Sequence, residues 1–151
     1  MLYLPVSDLE ALEHDPDVAA RWFADSDPVD LGEAWHGLHV LLNGSAWGGS
    51  PPLYDAVLGG TPLGDPTTYE PVRFVAPAGV KAVAAALPSA EELTPRFTHR
   101  KLQQAEAYPE QRWAEADVLT SFLLPAYETL ATLFRQAAAR GDAVLITLDR
   151  E

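Results

Sequence analysis

The chain has 151 residues, with 22 Asp and Glu against 10 Lys and Arg for a formal net charge of −12, and no cysteine. One compact domain spanning residues 1–151 is expected at that length. Disulfides, thiolate metal sites and cysteine nucleophiles are excluded, and a field of that sign repels nucleic-acid phosphates and anionic lipid head groups.

Met1 to Val6 is apolar but lacks the basic flank of a signal peptide, and no run approaches the roughly 18 apolar residues of a spanning helix. A cytoplasmic protein binding neither nucleic acid nor membrane is therefore expected. Its acidity serves solubility or draws a basic protein partner. Residues 2 to 6 read as a short strand ended by a capping box at Ser7 and Glu10 that opens a helix. A second short helix is expected over Asp15 to Ala24, with Pro16 in its first turn and Val18, Trp22 and Phe23 to bury.

The clearest helix pattern opens at Asp30, with Glu33 completing the cap and Leu31, Trp35, Leu38 and Leu42 along one stripe, and closes at Asn43-Gly44. That stripe places Trp35 in the core, His39 on its flank and His36 further round, toward solvent or a neighbouring loop. From Gly44 to Thr68 six glycines and four prolines predict extended irregular structure, with one short helix near Leu53 to Leu58. Such a stretch is either a packed connection or a binding segment.

Pro71 to Ala76 reads as a strand and Pro77 as the first turn of a helix that buries Val80, Val83, Ala84 and Leu87. Ser89 and Glu92 form a capping box for a helix ending near Arg96 to Thr98, and a further short helix covers Arg100 to Ala107. Tyr108-Pro109 marks a turn. The longest helical region runs from Ala114 to Arg140, with a kink or break expected at Pro125 and an end at Gly141. Its broad apolar face leaves a homo-oligomer possible. The segment Ala143 to Leu148 is β-rich and pairs with the N-terminal strand. The expected fold is α+β: a small, mostly antiparallel sheet of the N- and C-terminal strands and the strand near 71–76, covered by several helices.

Few residues offer chemistry. His36 and His39 stand three apart on one helix, a spacing that suits a shared metal, yet His14 and His99 lie far off in sequence, so no metal is expected. Glu10, Asp30, Glu33, Glu106 and Asp117 each have a ready role as cap, dipole partner or solvated face. Ser45 and Ser50 lack the setting of a nucleophile elbow, and Gly59-Gly60-Thr61 lacks the lysine of a phosphate loop, so no cofactor is expected. Among the tryptophans, Trp22 and Trp35 read as core, while Trp47 in its glycine loop either anchors that loop or lines a pocket or interface.

The run Ala34-Trp35-His36-Gly37-Leu38-His39-Val40-Leu41-Leu42-Asn43-Gly44 resembles the hallmark segment of the YfbM-like family, uncharacterised bacterial proteins carrying a domain of unknown function. Pro52-Leu53 with Ala56 to Gly60, Tyr69 to Val80 with Pro71, Arg73 and Pro77, Ala107-Tyr108-Pro109 with Trp113, and Arg140 to Ala143 are similar to that family in the same order. The resemblance implies an α+β domain of about this length and no established activity. The matching positions that packing does not explain are His36, Arg73 and Tyr108, with Trp47 nearby. Two functional expectations follow. One is a non-catalytic interaction protein, accessory or toxin-neutralising, whose acidic surface meets a basic partner. The other is a small-molecule binder or enzyme with a candidate pocket of Trp35, His36, His39, Trp47, Arg73 and Tyr108, in which Arg73 binds an anion, Tyr108 donates a hydrogen bond and His36 exchanges a proton.

Overall fold

The computed structural model describes residues 1–15, 17–63 and 72–148. Strand β1 (Leu2–Val6) is followed by helices α1 (Leu9–His14) and α2 (Val18–Asp25), strand β2 (Val29–Asp30) and helix α3 (Trp35–Asn43). Strands β3 (Thr61–Pro62) and β4 (Arg73–Val75) precede helices α4 (Pro77–Ala86), α5 (Ala90–Leu93) and α6 (His99–Gln104), the long helix α7 (Leu124–Arg140) and strand β5 (Ala143–Thr147). These five strands form one antiparallel open sheet in the order β2-β1-β5-β4-β3. The fold is α+β.

The N- and C-terminal segments pair as the sequence predicts, with Tyr3 opposite Ile146 and Leu4 opposite Leu145. Residues 143–146 are all buried because β5 is the central strand and both sheet faces are covered. Tyr3, Val75, Val144 and Ile146 join the main core with α3, α4 and α7, where Phe134 meets the Tyr3 ring edge-on at 6.1 Å. Leu4, Phe74 and Leu145 face the other way, against Leu9, Leu12, Ala19, Trp22 and Phe23 of α1 and α2. Side chains alternate between faces along each strand, so a strand covered on both sides shows an unbroken apolar run.

Several expected boundaries move. The first helix is capped by Asp8, whose Oδ1 accepts from the Ala11 amide at 3.0 Å, and not by Ser7. The helix read from Asp30 begins at Trp35, because Val29 and Asp30 add a strand to β1 and residues Gly32–Ala34 form a 3-10 turn. Asp30 still works as a local cap, its Oδ1 accepting the Gly32 amide at 2.7 Å. Trp22 is half-buried, the short helix after Pro52 is a 3-10 turn over Leu53–Ala56, and the expected irregular stretch contains β3, paired with β4.

The region read as one helix from Ala114 follows a 3-10 turn (Glu110–Ala114) and holds a π-helical turn (Leu119–Leu123) that runs directly into α7, with Pro125 just after the change from π- to α-helical geometry. Ser89 caps α5 as expected, accepting from the Glu92 amide at 3.1 Å, and Gly141 ends α7 at φ 74°. Pro16, Pro71 and the 64–68 part of the glycine- and proline-rich stretch lie outside the described residues.

Candidate functional site

Helix α3 is apolar nearly all round, and each of residues 35–42 is buried. Both histidines are therefore fully enclosed, and each must satisfy two ring nitrogens without water. The Tyr108 backbone N–H donates to Nδ1 of His36 at 2.7 Å, so that nitrogen is bare. Nε2 then carries the hydrogen and donates to the Ala46 carbonyl at 2.8 Å. His39 repeats the pattern: Nε2 donates to the Gly48 carbonyl at 2.9 Å, and Nδ1 accepts from Nδ2 of Asn43 at 3.2 Å. Asn43 Nδ2 also reaches the carbonyls of His39 at 3.2 Å and Leu53 at 3.4 Å, which fixes its amide orientation.

The donors facing each Nδ1, together with burial, favour the neutral imidazole at both positions. Burial pushes the His36 pKa below the ordinary histidine value, with the Ala46 bond acting in the opposite sense. His39 is pushed the same way by burial, against the Gly48 bond, with the neighbouring His36 adding to the fall. Every ring nitrogen on the pair is already engaged, which leaves no lone pair for a metal and no mobile proton in this arrangement.

The same bonds shape the loop after α3. Gly44 leaves the helix in the left-handed region at φ 73°, Ser45 Oγ accepts the Gly48 amide at 3.1 Å, and the carbonyls of Ala46 and Gly48 turn inward to the two histidines. Trp47, between them, lies across the outside of His36 with ring centroids 4.3 Å apart.

A second segment closes on the first from α6. Its end is a Schellman motif: Ala107 N–H bonds to the Leu102 carbonyl and Glu106 N–H to that of Gln103, with Glu106 in the left-handed region at φ 53°. Tyr108 is thereby held between two anchors, its own N–H on His36 and the preceding Ala107 carbonyl accepting Nε1 of the buried Trp113 at 2.6 Å.

The outcome is an aromatic cluster at the surface. Trp35, 8% exposed, stacks on His36 at 5.0 Å and on Tyr108 at 6.1 Å, and lies 6.5 Å from Trp47. Trp47 and Tyr108 are the exposed large hydrophobic residues among those described, at 63% and 49%. The Tyr108 hydroxyl donates to Oε1 of exposed Glu33 at 3.2 Å, and that carboxylate raises the phenol pKa through the hydrogen bond first and its charge second.

Trp35, His36, Trp47 and Tyr108 thus come together. His39 lies one turn along α3 and meets Tyr54 edge-on at 5.6 Å. Arg73 faces a different environment: its Nη1 donates to the Gly59 carbonyl at 2.7 Å and its Nη2 lies 3.6 Å from the Met1 sulfur. Burial pulls its pKa down, opposed by Tyr3 and Tyr54, and the guanidinium stays charged. Tyr3, buried beside it, donates to the Ala56 carbonyl at 2.6 Å. Among the described residues no hydrogen bond or ring contact joins Arg73 to the aromatic cluster.

Glu33, Asn43 and Trp113 complete the frame. Asn43 stands four residues after His39, the helical spacing that lets its amide reach Nδ1, but it reads from the sequence only as a helix end. Glu33 reads only as a cap, because its partner Tyr108 is 75 positions away.

An α+β domain with this open antiparallel sheet and a neutral histidine pair under a surface aromatic cluster is the class of protein that fold and site define. The sequence matches the family described as a domain of unknown function (DUF1877) over residues 2–147, and the chain belongs to that family. Its structure is similar to the crystal structure of YfbM from Escherichia coli, titled a protein of unknown function, at a TM-score of 0.71 and 21% identity, covering 98% of this chain and 100% of that one. No curated protein matches the chain. Among the described residues no helix is long and apolar enough to cross a membrane.

Proposed function

We propose that the chain is a non-catalytic interaction protein of the cytoplasm, accessory or toxin-neutralising in type, which meets a basic protein partner through the surface around Trp47, Trp35 and Tyr108. One observation carries this reading. The described residues expose two large aromatic side chains, both lie against Trp35, and the groups beneath them are consumed in holding them there.

Tryptophan and tyrosine are the residue types that dominate binding energy at protein interfaces. Exposing them costs solubility unless a partner covers them. A net charge of −12 supplies long-range attraction for a basic protein. Catalysis by His36 is disfavoured because a proton-exchanging imidazole needs a free nitrogen, and both of its nitrogens face backbone groups.

The test is affinity purification of the tagged full chain from its native cells at about 50 and about 500 mM salt, conditions that separate screened from unscreened association. A specific basic protein retained at low salt and released at high salt is the expected result. Repeated return of no enriched protein would remove the reading.

A further inference from the structure

We infer that the exposed rings of Trp47 and Tyr108, both set against Trp35, with the Glu33 carboxylate at the Tyr108 hydroxyl, form a recognition seat for an arginine side chain of the partner. The inference rests on the reading of this surface as an interface and names the chemistry it selects. The π-faces of tryptophan and tyrosine are electron-rich and attract cations, and a planar guanidinium both stacks on such a face and forks onto a carboxylate.

Four features of the cluster fit that occupant. Trp47 and Tyr108 flank Trp35 and are open to solvent, so their faces are reachable from outside. The Tyr108 hydroxyl donates to Oε1 of Glu33, which enriches the phenol ring and leaves Oε2 for an incoming donor. No cation of the described residues pairs with Glu33 or covers these rings; the cation–π contact present, Arg112 over Phe122 at 4.4 Å, lies elsewhere. His36 directly beneath has a bare Nδ1 facing the Tyr108 N–H and donates from Nε2 to the Ala46 carbonyl, so the imidazole under the rings adds no positive charge against the ligand.

Lysine fits less well. Its compact, strongly hydrated ammonium neither stacks as a plane nor presents a fork to Glu33. The overall acidity, 22 acidic against 10 basic residues, brings basic partners in without choosing between the two side chains, so the choice belongs to the rings and Glu33.

The experiment is an NMR titration of the full chain with acetyl-Gly-Arg-Gly-amide, following the indole Nε1–H resonances of all four tryptophans. Saturable shifts are expected at Trp47 and Trp35, with Trp22 and Trp113 unmoved. The same peptide with lysine in place of arginine should bind more weakly. Glu33→Gln and Trp47→Ala, both at exposed positions, should each weaken the arginine peptide by about two- to fivefold, as loss of an exposed cation–π or ion contact implies.

No saturable shift at Trp47, equal binding of the lysine peptide, or an arginine shift untouched by both substitutions would each overturn the inference. If the salt-sensitive partner is nevertheless captured, the interface reading stands and the arginine seat alone falls. If the peptide binds as expected while no partner is ever captured, the seat stands and the interface reading falls.

Discussion

His36 and His39 act as clamps on two backbone segments, and their effect on stability runs through their protonation. Each has a folded-state pKa below the unfolded value, so the folded form binds fewer protons once pH drops beneath about 6.5. Their contribution is complete above that pH. It is lost as pH falls from about 6.5 toward the folded pKa, at a slope of about 1.4 kcal/mol per pH unit for each histidine. Urea midpoints between pH 7.5 and 5 should therefore fall more steeply for the natural chain than for His36→Gln. Equal slopes would mean that His36 is not held neutral.

The two tryptophans of the cluster should separate cleanly by stability. Trp35→Ala removes a buried ring stacked on His36 and Tyr108 and should cost about 3 kcal/mol or more, whereas Trp47→Ala, at a mostly exposed site, should cost about 1 kcal/mol or less. A loss at Trp47 comparable to that at Trp35 would make the exposed ring part of the core and weaken its assignment as contact surface.

At the level of elements, two backbone positions set how α3 and α6 present the cluster. A Cβ on Gly37 would lie 2.6 Å from Cη2 of Trp113 and 2.9 Å from Cδ2 of Leu123, both buried. Gly37→Ala gains about 1 kcal/mol of helix propensity, but it forces apart the contact that seats Trp113 under Tyr108. A net loss of about 1–3 kcal/mol is expected in denaturant unfolding. A stabilised Gly37→Ala would contradict that packing.

Glu106 occupies the left-handed position of the α6 cap, where glycine is the usual residue. Glu106→Gly should raise stability by up to about 1 kcal/mol with the Tyr108 turn unchanged, while a clear loss would mean the Glu106 side chain contributes a contact that outweighs its strain. The same residue shows why part of the structure was hidden in the sequence. A glutamate gives no sign of a helix end, and so the helix over 100–107 reads without its turn. Gly141 and Ser89 are residues of the expected type at their caps, and both ends read correctly. Strands β2 and β3, two residues each, carry no periodicity and exist because longer neighbours offer an open edge. The π-helical turn before α7 brings Leu123 beside Trp113 at Gly37, a contact between distant segments that no local pattern records.

Across the whole molecule, the sheet brings together segments from both ends of the chain, and α3 lies where the 44–48 loop and the 106–108 turn can both reach it. His36, Arg73 and Tyr108, with Trp47 nearby, stand out in the sequence as positions that packing does not explain, and Trp35 reads as core; His36, Tyr108 and Trp47 do sit with Trp35 at or beneath one surface patch, because His36 ties the two segments together. What the sequence hides is the direction of the histidine bonds. An imidazole aimed at a backbone carbonyl and one aimed at a substrate leave the same letter in the chain. Arg73 shows the same limit: its charge is evident, but its hydrogen bond to the Gly59 carbonyl depends on a strand pairing with no local signature.

With a formal charge of −12, association with a basic partner should weaken steeply as salt rises, mostly through a slower encounter, while the aromatic contacts should set how long the complex lasts. The most direct test of the account is calorimetric titration of the purified partner into the natural chain and into a Trp47→Ala, Tyr108→Ala double variant whose folding has been verified. Binding to the natural chain and a loss of about 2 kcal/mol or more in the variant are expected. Equal affinity for both would show that the partner docks elsewhere and that the exposed aromatic cluster is not the recognition surface.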